Sequence, residues 1–316
     1  MKNNLQAILG AGGAIGNHLA RELLEYTDNI RLVSRKPVQV NPNDELFPAN
    51  LLNIEKVKEA VKDSTVVYLT AGLPYNYKVW RKNWPEIVKN VINACEETGA
   101  KLVFFDNVYM YSKESIPYMT EDAPMAPESK KGLVRAELAR LILGRVEKGK
   151  LTALIARCAD YYGPNSQNSM ITQTVIKPLK EGKKANWLAS ADYKHSFTFV
   201  PDAAKGTALL GNTDDAYNQV WHLPTAENPL TGREWITAIA AEMQVEPKFR
   251  EVPKFMAYLL GLVIPVMKEM PEMMYQYDRD YIFKSTKFET RFDFTPTPYL
   301  EGIRKKLAAP ENPVKA

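Results

Sequence analysis

Apolar positions in the first half of the chain alternate between two periods. Leu5-Gln6-Ala7-Ile8-Leu9 is a short, nearly continuous apolar run, the pattern of a buried strand. Ile15, Leu19 and Leu23 then recur at helical spacing, with Leu24 widening the stripe, which predicts a helix to about Tyr26. Further strands are predicted at residues 30–34, 66–70, 101–106 and 151–157. Among them, Pro85 reads as the start of a helix carrying Ile87, Val88, Val91, Ile92 and Cys95, and another helix is predicted around residues 132–146. Strands alternating with helices of this length predict βαβ units and an α/β fold with a parallel, doubly wound sheet.

After Gly163-Pro164 the pattern loosens. Single strands are predicted at 196–200 and 219–223, with a helix at 201–210 between them, and Met256, Met267, Met270, Met273 and Met274 crowd together. Such a region reads as a smaller cap. Its methionines suit either a core filled with flexible side chains or a surface that moulds itself to an irregular apolar ligand.

Composition narrows the class without choosing it. The 316 residues are 45% hydrophobic and 25% charged, with a formal net charge of +4. This excludes disordered, collagenous and disulfide-scaffold classes, and the scattered charge gives no footprint for nucleic acid. The start, Met1-Lys2-Asn3-Asn4, shows no leader pattern, and the most apolar later stretch, 255–267, is interrupted by Gly261 and Pro265 and shorter than the roughly 20 residues a membrane span needs. Cys95 and Cys158 have neither metal-ligand nor redox spacing. A cytoplasmic protein without a membrane partner is expected.

The strongest local signal is Gly10-Ala11-Gly12-Gly13-Ala14-Ile15-Gly16, between the first strand and the first helix. A strict G-x-G-x-x-G from Gly10 fails at Ile15, whereas Gly10-x-x-Gly13-x-x-Gly16 fits. Glycine permits the tight turn and lets backbone N–H groups approach a pyrophosphate, to which the helix N-terminus adds partial positive charge. At the end of the second strand, where an NAD-preferring site carries a carboxylate, stand Ser34, Arg35 and Lys36. These suit a 2′-phosphate, so NADP is expected, with NAD as the other possibility.

Together with Ala71-Gly72 and Arg157-Cys158-Ala159-Asp160-Tyr161-Tyr162-Gly163-Pro164, this chain resembles the extended or atypical short-chain dehydrogenase/reductase superfamily. More narrowly it resembles the NAD-dependent epimerase/dehydratase family, whose strand-to-helix segment is similar to Phe197-Thr198-Phe199-Val200-Pro201-Asp202-Ala203-Ala204. The resemblance implies a Rossmann-type doubly wound parallel sheet with a smaller C-terminal α/β cap and substrate in the cleft between them. It divides the chain into a dinucleotide-binding domain at 1–165, to which 195–225 return, and a cap at 166–316. It implies that Gly10, Gly13, Ala14, Ile15 and Gly16 surround the pyrophosphate, that Asn50 and Leu51 lie near adenine, and that Ala71 and Gly72 run beside the cofactor. A small-molecule substrate and a homodimer through the helices at 85–98 and 132–146 complete the expectation.

Catalytic residues of that family carry over incompletely. The family's Ser or Thr falls at Asn107, and its Lys matches Lys131, or Lys130 in the other alignment. Four residues earlier, where its tyrosine belongs, stands Pro127, or Ala126. The resemblance then leaves Lys131 at the nicotinamide ribose, with Asn107 as a hydrogen-bond donor and Tyr109 or Tyr111 as replacement proton donors. Two outcomes stay open: an NAD(P)-dependent oxidoreductase or epimerase-like enzyme acting by hydride transfer on a carbonyl or hydroxyl group, a sugar derivative among the options, and a catalytically silent NADP(H)-binding sensor. Tyr75, Tyr77, Trp80 and Trp84 form an aromatic group that either stacks on a ligand ring or packs internally, and His195 beside Lys194 is either a phosphate-binding cation or a structural histidine. Zincin, serine-hydrolase and P-loop patterns are missing.

Overall fold

The computed structural model describes residues 4–260 and 265–310. In chain order the elements open with β1 (Leu5–Leu9), α1 (Ala14–Glu22), β2 (Ile30–Ser34), β3 (Glu45–Pro48), α2 (Ile54–Val61) and β4 (Ser64–Leu69). Then come α3 (Tyr77–Thr98), β5 (Lys101–Asp106), α4 (Lys130–Glu147) and β6 (Ala153–Arg157). The chain passes through β7 (Asp160–Tyr162), α5 (Lys177–Lys180), β8 (Ala185–Leu188) and β9 (Phe197–Phe199) before α6 (Val200–Gly211) and β10 (Val220–His222). It finishes with α7 (Gly232–Glu242), β11 (Phe249–Val252), α8 (Lys254–Leu260), α9 (Thr286–Phe292) and α10 (Tyr299–Ala308).

Two compact units emerge from the packing. The first comprises Met1–Met110, Lys131–Cys158 and Ala203–Leu223. Seven parallel strands run through it in the order β10-β6-β5-β4-β1-β2-β3. Ala7, Ile8, Leu9, Val67, Tyr68, Leu102, Val103 and Phe104 are all buried, as expected of central strands covered on both faces. Strand order reverses between β1 and β4. Leu9 pairs with Val33 on one side and Leu69 on the other, so the turns leaving β1 and β4 open from one crevice, the position at which such sheets bind ligands.

The predicted strands all form, and the doubly wound α/β fold is observed. Several boundaries differ for identifiable reasons. The first helix keeps α geometry only to Glu22 and tightens into a 3-10 turn at Leu23–Glu25. Pro85 does not begin α3 but lies inside it: Asn76 starts the helix two turns earlier, its side chain accepting the Val79 N–H at 3.1 Å. The stripe of Trp80, Trp84, Ile87, Val88 and Val91 packs continuously through the proline, outweighing the hydrogen bond that proline forfeits. β3 and α2 have no counterpart in the sequence pattern. β3 is an edge strand with only Phe47 half-buried and a terminal proline, held by its ladder to β2, and α2 is two turns long.

The second unit comprises Tyr111–Lys130, Ala159–Asp202 and Pro224–Ala316. Two short parallel pairs, β7 with β9 and β8 with β11, surround a core of Tyr162, Trp187, Phe197, Trp235 and Tyr299. Met274 is buried in this core and Met256, Met267 and Met270 pack against it, so the methionines fill the interior. Among the described residues no helix is long and apolar enough to cross a membrane, and Gly261 of the apolar stretch lies outside them.

Candidate active site

The glycine turn follows β1 at the point of strand reversal. Gly10 adopts φ +101°, and a Cβ there would fall 2.3 Å from the Ala71 Cα, so the turns after β1 and β4 touch through backbone alone. Gly10 and Ala11 both donate to the Val33 carbonyl, at 2.8 and 3.1 Å, which ties the turn to the end of β2. Gly12, at φ +102°, and Gly13 border open space: a Cβ on Gly12 would meet nothing within 4 Å, and one on Gly13 only the Gly10 carbonyl at 3.9 Å. Gly13 is the N-cap of α1 and offers no side chain to its first amides. Ala14 begins the helix, half-buried, while Ile15 and Gly16 turn inward, and a Cβ on Gly16 would sit 3.3 Å from Thr70 Oγ1. Uncapped amides beside an open, side-chain-free turn suit an anion such as a pyrophosphate. Gly12, which the fitted spacing omits, borders the same open space, and its positive φ was not legible in the sequence.

Beside this turn, Ser34 closes β2 half-buried, and its carbonyl accepts the Ala49 N–H at 2.9 Å. Arg35 and Lys36 follow it as an exposed bend, both cations in water. Asn50 is exposed, its Oδ1 accepting the Leu52 N–H at 3.1 Å, while buried Leu51 is anchored by Asn90 Nδ2, which donates to its carbonyl at 3.0 Å. Ala71 is half-buried and Gly72 exposed.

A second group of residues follows the ends of β4 and β5. Lys131, in the first turn of α4, is fully buried, and its Nζ lies 4.7 Å from the centre of the Tyr75 ring. Tyr75 and Tyr109 bring their hydroxyls to 3.5 Å, and Trp80 stacks on Tyr109 with ring centres 6.2 Å apart and planes at 17°. Asn107 spends its Oδ1 on the Tyr109 N–H at 3.0 Å, fixing the turn that presents Tyr109, and donates its own N–H to Asp106 Oδ1 at 2.8 Å. Beneath them, Asp106 is enclosed with Arg135 and Arg157: Arg135 Nε donates to its Oδ1 at 2.7 Å, and Arg157 Nε lies 3.8 Å from Oδ2. The Arg135 guanidinium also covers the rings of Trp84 and Phe104 at 4.8 and 4.9 Å. A buried carboxylate thus positions the arginine against which the aromatic group packs.

Lys131, Tyr109 and Asn107 therefore come together in the first unit, and Tyr75 joins them. Tyr111 is fully buried and groups with the second unit. Trp80 and Trp84 are interior residues, whereas Tyr75 and Tyr77 keep partial exposure. His195 is a satisfied interior residue: its Nε2 lies 3.0 Å from Asp160 Oδ2, and its ring is stacked between Tyr277 and Tyr281, with centres 4.5 and 4.1 Å away. Tyr277 completes that network by donating its hydroxyl proton to Asp160 Oδ2 at 2.7 Å.

The sheet order and the glycine turn at its reversal define a Rossmann-type α/β protein. A profile of the NAD dependent epimerase/dehydratase family matches residues 7–221, and the chain belongs to that family. Among curated relatives, the mouse (Mus musculus) sterol-4-alpha-carboxylate 3-dehydrogenase, decarboxylating, is 24% identical over 277 residues, covering 82% of this chain and 74% of its own length. The UDP-N-acetyl-alpha-D-glucosaminuronate decarboxylase of Bacillus cytotoxicus is 22% identical over 222 residues, covering 63% and 68%. Among solved structures, the dTDP-glucose 4,6-dehydratase of Bacillus anthracis, in complex with NAD, superposes with a TM-score of 0.78 at 17% identity, covering 96% of each chain. The UDP-glucose 4-epimerase of Thermus thermophilus, also in complex with NAD, gives 0.76 at 19% identity, covering 96% and 97%. At these identities the structures speak for the shared fold.

Proposed function

We propose that this chain is a nicotinamide-dependent oxidoreductase that prefers NADP(H) and acts at a carbonyl or carbinol carbon of a small molecule, with sugar derivatives the first class to test. The observation that carries this reading is the glycine turn packed backbone to backbone on Ala71, which leaves Gly12, Gly13 and the first amides of α1 open toward a diphosphate. In this reading Gly10, Gly12, Gly13, Ala14, Ile15 and Gly16 form the pyrophosphate cradle, Asn50 and Leu51 border adenine, and Ala71 and Gly72 line the ribose side. Ser34 and Arg35 receive the 2′-phosphate, with Lys36 adding charge, because no carboxylate stands there to bond a free 2′-hydroxyl. The bound nicotinamide supplies or accepts hydride. Lys131 bonds its ribose, Asn107 Nδ2 donates to the substrate oxygen, and the tyrosines of the site move the proton.

Titration of the protein with NADPH and NADH, followed by nicotinamide fluorescence, tests the preference. Arg35→Ala should weaken NADPH binding by at least about ten-fold and NADH by little, since a charge-assisted phosphate contact contributes roughly 1.5–3 kcal/mol. Equal losses would sink the 2′-phosphate assignment. Pro127 in the tyrosine's usual place favours a second reading, a silent NADP(H) sensor, and tight cofactor binding without turnover on a broad carbonyl panel would select it. We further infer a homodimer through α3 and α4, the latter presenting Leu133 to solvent, in the cytoplasm, where buried free thiols such as Cys95 and Cys158 stay reduced.

A further inference from the structure

Lys131 has Pro127 four residues before it, yet it does not lack a phenol. Tyr75 reaches it from the loop between β4 and α3, a different part of the chain, and the Lys131 ammonium lies over its ring at 4.7 Å. The backbone on both sides of Tyr75 is pinned. Trp80 Nε1 donates to the Pro74 carbonyl at 3.0 Å, and Asn76 next along the chain caps α3. The Tyr75 ring itself meets Trp80 edge-on, with centres 5.7 Å apart and planes at 81°. Tyr75 stays partly exposed above a fully buried lysine, in the loop that Ala71 opens against Gly10. Tyr111, by contrast, is fully enclosed and has no surface to offer a substrate.

We propose that Tyr75 is the acid and base of the reaction, taking over from a different loop the task of the tyrosine that is missing at position 127. The proposal rests on the hydride-transfer reading and names the group that completes it. During reduction the Tyr75 O–H bond breaks and a new O–H bond forms on the substrate's carbonyl oxygen, the carbon of that group being where a bound reduced nicotinamide would supply its hydride. Tyr75 is left as a phenolate facing the Lys131 ammonium, whose charge stabilises it. A proton then returns from water through the Tyr109 hydroxyl. The 3.5 Å between the two hydroxyls is at the long limit of a hydrogen bond, of the kind that tightens when a substrate fills the site. Oxidation runs the same steps in reverse. Lys131 from α4 faces the Tyr75 ring, and the Arg135 guanidinium lies over the ring of Trp80, so both of these neighbours are cationic.

The test uses the full chain labelled at the tyrosine ring ζ-carbon, with the Tyr75 resonance assigned by its loss in Tyr75→Phe. Lys131→Met should raise the pH at which that resonance titrates by about one unit or more, because it removes the neighbouring cation. Tyr75→Phe should bind NADPH within about two-fold of wild type yet lose about 100-fold or more in turnover on a panel of aldehydes and ketones, the usual size of a lost general acid. Tyr109→Phe should lower turnover, but by less than Tyr75→Phe does, since water can replace a relay and not the acid itself. Cofactor binding with no turnover of the panel in the wild type overturns the acid–base role of Tyr75 together with the hydride-transfer reading and leaves the sensor. A Tyr75 resonance unmoved by Lys131→Met, or full turnover in Tyr75→Phe, overturns the proposal while leaving the cofactor reading intact. Failure of the wild type to bind either NADPH or NADH overturns that reading first.

Discussion

Gly10 and Gly12 have almost the same backbone dihedral, +101° and +102°, but different surroundings, and this separates two kinds of requirement. A side chain on Gly10 collides with the Ala71 backbone, which cannot move aside without parting the turns after β1 and β4. Gly10→Ala should therefore lower both the melting temperature and the affinity for NADPH. A side chain on Gly12 enters open space, so Gly12→Ala carries only the strain of its left-handed backbone, about 1–2 kcal/mol. That variant should fold and melt within several degrees of wild type while binding dinucleotide at least ten-fold more weakly, because the new methyl occupies the cradle. Thermal melts and fluorescence titration of both variants check the pair. If Gly12→Ala binds normally, the pyrophosphate does not lie over this turn.

At the scale of elements, the informative case is α3. Its apolar periodicity from Ile87 onward is readable in sequence, and the helix continues two turns further toward the N-terminus because Asn76 caps it and Trp80 and Trp84 extend the buried stripe. Those two residues pack beneath Arg135, which is held by Asp106 at the end of β5. Asp106→Asn leaves two buried arginines without their counter-charge. It should destabilise the protein by about 3–5 kcal/mol in urea unfolding, the usual consequence of removing one partner from a buried ion pair. Arg135→Met should cost less than Asp106→Asn, since Arg157 still faces the carboxylate. Further along the same helix, burial pushes the Cys95 thiol well above its ordinary range, and the charge of Glu96 adds to this. Cys95 should accordingly resist alkylation by iodoacetamide at neutral pH until denaturant is added, as read by mass spectrometry.

For the whole molecule, the exposed face of α4 bears on association. Leu133 projects from α4 with 54% of its surface exposed, a large apolar side chain on a helix that otherwise buries its neighbours Val134 and Ala136. Light scattering of the wild type should give twice the chain mass. Leu133→Glu should shift it toward the monomer without lowering the helix content seen by circular dichroism, and a wild-type mass equal to one chain would remove the dimer from the proposal. The second unit poses a different question, because its aromatic and methionine side chains occupy its own interior. A free apolar surface able to mould to a ligand, one of two expectations for those methionines, is not where Met274 lies.

The sequence by itself determined the alternation of strands and helices, the place of the glycine turn and the absence of a carboxylate at the end of β2, because each is a local matter of period, backbone freedom or side-chain charge. It also showed that no tyrosine stands four residues before Lys131. It did not reveal the short edge strand β3, which only its ladder to β2 holds in place, or the interior role of His195, which depends on Asp160, Tyr277 and Tyr281 from distant parts of the chain. Above all, local pattern has no means of saying that Tyr75 and Lys131, which are 56 positions apart in the chain, meet at 4.7 Å. That contact exists because parallel strands β4 and β5 end side by side, so the loop after one and the helix following the other face the same space.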